Sequence, residues 1–171
     1  MEHLKYPIGK FVAPDHFDSD LVQHYIQKLE QLPPYFAQTA LELTQEQLRS
    51  SYRPGGWNAI QIVHHLADSH MNVFIRFKLA LTETEPIIKT FNENSWSKMV
   101  DCTDAGISSS LQIISGLHYR WVLLLKTLEE RDFAKSIILP DTLEKQDLFY
   151  LLAFYSWHAE HHLGHLKIIH Q

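Results

Sequence analysis

The sequence predicts an all-α protein, a four-helix bundle with a long connection between its second and third helices. Three observations carry that expectation. Apolar residues recur three and four positions apart in four long stretches, the spacing of a single helix face. No stretch sustains a two-residue alternation bounded by turn residues, so strands are not expected. From Thr82 to about Ile107 the helical pattern lapses, with Pro86 and several Asn and Ser residues; ~25 residues is long for a connection in one small domain. The 171 residues are enough for one core, so residues 1–171 are read as a single domain.

The elements follow in order. After Asp18-Ser19-Asp20, Leu21, Tyr25, Ile26 and Leu29 begin a helical face. Pro33-Pro34 is expected to break or kink it, because proline removes a donor and crowds the preceding turn; helical character resumes from Tyr35 to Leu43. Thr44-x-x-Gln47 has the form of a capping box for a short helix. Arg53-Pro54-Gly55-Gly56 reads as a turn, and Asn58 as the N-cap of a long helix to about Leu81. Ser108 or Ser109 caps a third helix to about Glu130. Pro140-Asp141-Thr142 is a turn, and Asp147 caps a last helix running almost to Gln171.

Composition narrows the function. A net charge of -5 without a basic run provides no footprint for nucleic acid. Cys102 is the only cysteine, which excludes an intrachain disulfide and a cysteine-based zinc finger. The N-terminus lacks the apolar core of a signal peptide, and no apolar run approaches the ~20 residues of a membrane helix. A cytoplasmic protein with no membrane partner is expected.

Histidine is the unusual residue, with twelve in the chain and four inside Trp157-His-Ala-Glu-His-His-Leu-Gly-His165. At ~100° per residue, His158, His161, His162 and His165 share one arc of ~100° on the core side of the last helix, with Glu160 opposite, towards water. Buried imidazoles need hydrogen-bond partners or a metal. Two pairs one turn apart, His158 with His162 and His161 with His165, can each reach one ion. Spacing alone leaves both open. Gly164, costly in mid-helix, suggests close approach of another group. A third ligand should come from His64-His65-Leu-Ala-Asp-Ser-His70 in the second helix, where the apolar face centres on His70. His-Glu-x-x-His, Glu-x-x-His and Gly-x-Ser-x-Gly are all absent, which removes gluzincin proteases, ferritin-like di-iron bundles and serine hydrolases.

At Tyr-Pro-Ile-Gly, Tyr-Arg-Pro-Gly-Gly-Trp, Gln-Ile-Val-His-His-Leu-Ala-Asp-Ser-His, His-Tyr-Arg-Trp and the four-histidine segment, the chain resembles the DinB/YfiT-like superfamily of four-helix-bundle metalloenzymes. It looks most like the YfiT group of metal-dependent hydrolases. The likeness runs from Tyr6 to His165 and implies one divalent metal per subunit, Zn²⁺ or Ni²⁺, held by His65, His161 and His165. It thus prefers His65 to His70 and the 161/165 pair to 158/162. It also implies a homodimer acting on a small molecule. Three neutral histidines leave a position for water, whose lowered pKa supplies a nucleophile near neutrality. The alternative is a thiol-dependent transferase or isomerase of the bacillithiol or mycothiol type, in which the metal activates the thiol; a metal staple or buffer ranks third.

His64, His70, His158 and His162 are then expected to pack or to hydrogen-bond the ligands. Asp68 is weighed as a general base against a solvated helix position. Arg76, Arg120 and Trp121 are weighed as an anion pocket against packing. Trp57, Trp96 and Trp157 are expected in the core, and Cys102 as unreactive.

Overall fold

A computed structural model describes residues 2–103 and 106–171. In chain order its elements are α1 (Glu2–Lys5), α2 (Ser19–Leu41), α3 (Gln45–Arg49), α4 (Ala59–Thr82), α5 (Glu93–Trp96), α6 (Val100–Thr103), α7 (Ser108–Leu125), α8 (Glu130–Phe133), β1 (Ser136–Ile138), β2 (Lys145–Asp147) and α9 (Leu148–His170). The four long helices α2, α4, α7 and α9 form the bundle. Helix α2 packs on α7 and α9, and α4 packs on the same two. Around the bundle the order is therefore α2, α7, α4, α9, and the successive long helices α2 and α4 face each other across the diagonal. The long connection expected between the second and third helices runs from Glu83 to Ile107.

Local chemistry explains where the helices begin. Asp18 Oδ1 accepts from the amides of Asp20 and Leu21 at the start of α2. Thr44 and Gln47 form the expected capping box of α3. Asn58 and Gln61 form a second one at α4, and Asp147 Oδ1 accepts from the Tyr150 amide, 2.7 Å, at α9. These side chains satisfy amides that a helix terminus leaves without partners.

Five expectations need correction. Pro33 and Pro34 do not interrupt α2, which continues through both. The carbonyl that Pro33 cannot engage, that of Leu29, accepts from His118 Nδ1 of α7 at 2.7 Å, so the cost of the missing bond is offset across the bundle. The third helix ends at Leu125 and starts from Ile107 without a side-chain cap. A short antiparallel hairpin exists, pairing Ser136 with Asp147 and Ile138 with Lys145; three-residue strands are too short to show alternation. Its Ile137 is fully buried, and Ile138 also exchanges backbone bonds with Pro86 and Ile88, which ties the long connection to the bundle. Trp96 is 38% exposed rather than in the core, whereas Trp121 is fully buried. Glu160 faces α2, not open water, and its carboxylate accepts from Lys28 Nζ at 2.8 Å.

The N-terminal segment crosses α9 as a strap. Gly9 O accepts from Trp157 Nε1 at 3.3 Å, and Phe11 packs edge-on against Tyr150 and Phe154. At Gly164 the strap comes close, since a Cβ there would lie 2.7 Å from Pro7 Cγ and 3.1 Å from Pro7 Cβ. Alanine in mid-helix normally gains about 1 kcal/mol over glycine. Here Gly164→Ala is expected to lose about 1–3 kcal/mol through overpacking. The loss should appear as a lower Tm together with faster proteolysis of the strap.

Candidate metal centre

Helices α4 and α9 bring five histidines together. His65 comes from α4, and His158, His161, His162 and His165 come from successive turns of α9; all five are buried. Among the described residues, the group whose ligand nitrogens lie within 4.8 Å of one another is His65, His158 and His162. His158 Nε2 stands 3.1 Å from His162 Nε2 and 3.3 Å from His65 Nε2. The three rings meet edge to face, with centroids 4.5–5.3 Å apart, so their nitrogens converge instead of stacking. Such a set fits a borderline divalent ion.

The pair that the family resemblance implied, His161 with His165, lies outside this convergent group. His161 stacks on Trp157 at 4.6 Å, and its Nδ1 is buried without a hydrogen-bond partner. His165 stacks on Tyr52 at 3.8 Å, and its Nε2 donates to the Lys5 carbonyl at 3.3 Å. The physical reason is the side from which α4 approaches. His65 makes ring contacts with His158 and His162, while His161 and His165 turn towards the strap and the Tyr52 loop.

His65 and His70 are both buried, because α4 packs on several neighbours and has no broad solvent face. His70, which periodicity favoured, meets His118 and His158; His65, which the resemblance favoured, joins the converging nitrogens. His64 Nδ1 pairs with Ser110 Oγ at 2.7 Å and braces α4 against the start of α7. Arg76 Nη1 donates to the Tyr155 hydroxyl at 3.2 Å, and Arg120 lies over the Phe74 ring.

The electrostatics keep the site neutral. Burial lowers the pKa of His65 to about 4, assisted by the charge His161 would carry. Burial likewise holds His158 and His162 well below the ordinary histidine value, reinforced by their histidine neighbours. Unprotonated imidazole is the form that can ligate a metal. Asp68 is raised to about 6, first by burial and then by Asp101. It couples to α6 and to Cys102, whose thiol burial pushes up to about 11.

A cavity of about 240 Å³ opens beside His162, lined also by Tyr6, Arg53, Trp57, Glu93 and His161. Trp57 covers the His65 ring at 4.6 Å. Burial raises the Glu93 carboxyl, opposed by the Arg76 charge. Sequence reasoning passed over Glu93, which opens the four-residue helix α5 inside the long connection, too short an element for a spacing rule to mark it. It passed over His118 as well, although a proline inside a helix frees a carbonyl that calls for a donor.

Fold and site together define a four-helix-bundle protein with a buried histidine cluster able to hold a metal ion. The chain belongs to the DinB superfamily, whose profile matches residues 28–166. It is 46% identical over 167 residues to a Bacillus licheniformis protein named "Putative metal-dependent hydrolase", covering 98% of this chain and 95% of that one. It is 42% identical over 164 residues to "Putative metal-dependent hydrolase YfiT" of Bacillus subtilis, covering 96% and 92%. The solved structure of Bacillus subtilis YfiT, described as "a probable metal-dependent hydrolase with an unusual four-helix bundle topology", superposes with a TM-score of 0.94 at 41% identity, over 98% of this chain and 95% of that one. Among the described residues no helix is long and apolar enough to cross a membrane.

Proposed function

We propose that the chain is a metal-dependent hydrolase of a small molecule, holding one Zn²⁺ or Ni²⁺ through His65, His158 and His162. The observation that carries this reading is the convergence of three imidazole nitrogens within 4.8 Å, two from α9 and one from α4, beside a cavity. The set replaces the His65, His161 and His165 triad implied by the resemblance. Three neutral donors leave a bound ion its full charge and an open position, which supplies Lewis acidity and activates water.

The chain's own residues have the remaining tasks. Trp57 covers His65 and limits water around that ring. Arg53 and His161 line the cavity as substrate contacts. Glu93 is its carboxyl, placed to move a proton, and burial keeps its pKa above the ordinary value. A homodimer belongs to the same reading, supported by the exposed Tyr35, Tyr119 and Leu123 on α2 and α7.

Zn²⁺-loaded protein assayed on ester, amide and phosphoester panels, with and without low-molecular-weight thiols, tests the proposal. Thiol-independent hydrolysis is expected, falling at least about 100-fold on chelation, since Lewis-acid assistance is worth several kcal/mol. Turnover that requires the thiol replaces this reading with the thiol-transferase one.

A further inference from the structure

Two chains of histidines lead away from the converging nitrogens, and each ends on a backbone carbonyl. The longer one crosses all four bundle helices. His158 Nδ1 of α9 lies 3.4 Å from His70 Nε2 of α4. His70 Nδ1 lies 2.9 Å from His118 Nε2 of α7, and His118 Nδ1 lies 2.7 Å from the Leu29 carbonyl of α2. The shorter one runs from His162 Nδ1 to His165 Nδ1 at 3.4 Å and from His165 Nε2 to the Lys5 carbonyl at 3.3 Å.

A carbonyl oxygen can only accept, so each chain has a fixed direction. His118 must carry its proton on Nδ1, which makes its Nε2 an acceptor. His70 must then donate from Nδ1 and accept at Nε2, and His158 must donate from Nδ1. That leaves the lone pair of His158 on Nε2. From the other carbonyl, His165 donates from Nε2 and accepts at Nδ1, so His162 donates from Nδ1 and keeps its lone pair on Nε2. Both deductions start at atoms remote from the centre. Both arrive at the Nε2 atoms that stand 3.1 Å apart.

We propose that His158 and His162 are held as Nδ1–H tautomers by two carbonyl-anchored histidine relays, making His70, His118 and His165 positioning residues for the metal centre. The inference rests on the ligand set of the preceding section. It gives Pro33 a role as well: by supplying no amide to Leu29, it leaves that carbonyl to anchor the relay. Outer partners of metal-bound histidines usually fix tautomer and ring orientation through a carboxylate, carbonyl or water; here further histidines transmit the constraint.

The test combines Zn²⁺ affinity by chelator competition with ¹⁵N NMR of the ring nitrogens in the Zn²⁺-loaded protein. His70 and His118 should both read as Nδ1–H. His118→Phe, which fills the space but accepts nothing, should weaken Zn²⁺ by about 10–100-fold, the range for losing an outer partner. His118→Gln, whose amide oxygen can accept from His70, should stay within about threefold of the parent. His158→Ala keeping its Zn²⁺ overturns the ligand set, and the relays with it. Loss of Zn²⁺ by His158→Ala combined with parent-like affinity in His118→Phe overturns the relays alone. So does an Nε2–H tautomer at His70 or His118. The tautomer measurement needs no variant, and it stands even if His118→Phe fails to fold.

Discussion

Replacing either His158 or His162 by alanine is expected to cost more than about 100-fold in Zn²⁺ affinity, beyond the 10–100-fold typical of losing an outer partner. Each substitution removes one of three nitrogens that lie within 4.8 Å of one another, and no other group in the set replaces it. His65→Ala should do the same. The comparison that matters is with the other pair on α9. His161 stacks on Trp157 and is not one of the three converging residues, so His161→Ala should bind Zn²⁺ within a few-fold of the parent. His165 supports His162 and contacts the Lys5 carbonyl, so His165→Ala should fall between, about 10–100-fold weaker. The triad His65, His161 and His165 requires the opposite order. Loss of Zn²⁺ from His161→Ala with retention by His158→Ala would restore that triad. Circular dichroism of each variant separates loss of a ligand from loss of the fold.

That contrast also shows which parts of the molecule the sequence could reveal. Helix starts are local matters, and Asn58, Thr44 and Asp147 cap where their side chains could be expected to cap. Gly164 signalled a close neighbour, and Pro7 is that neighbour. Whether Pro33 breaks α2 was not a local question. Continuation through it is supported by His118, 89 residues away in sequence, and no window of adjacent residues contains that donor. The proposed ligand pair was not local either. On one helix the 158/162 and 161/165 pairs have identical spacing, and only the approach of α4 distinguishes them. The apolar face of α4 centres on His70, while His65 joins the converging nitrogens, for a related reason. A helix packed on α3, α6, α7 and α9 buries residues all round, so the centre of its apolar arc does not single out one buried histidine.

The same buried imidazoles should make the metal-free protein acid-labile. His65, His118, His161 and His165 are all lowered to about 4, chiefly by burial. His70, His158 and His162 lie well below the ordinary value for the same reason. In the unfolded chain each returns to about 6.5. Between pH 4 and 6.5 the unfolded state therefore binds more protons than the native one, and stability rises with pH across that window. The contribution is fully present above pH 6.5 and is lost as pH falls towards 4. A shift of this size corresponds to about 3 kcal/mol for the deeply buried His65 and His118, and to less for His161 and His165, where solvent screens part of it. Neighbouring histidines titrate jointly, so the seven do not add, but two or three such losses consume the 5–15 kcal/mol of a typical domain. Asp68, raised to about 6, acts in the opposite sense: its stabilisation is present at low pH and is lost as pH rises through 6. It is a single, half-exposed group, so solvent screening leaves it a minor term. Unfolding of the metal-free protein is expected near pH 5, with a steep fall of Tm between pH 6.5 and 5 followed by calorimetry or circular dichroism. A flat Tm over that interval contradicts the prediction. Zn²⁺ at 100 times its Kd adds about 2.7 kcal/mol and needs unprotonated imidazoles. It should move the acid midpoint lower in the parent, and leave it unmoved in His158→Ala.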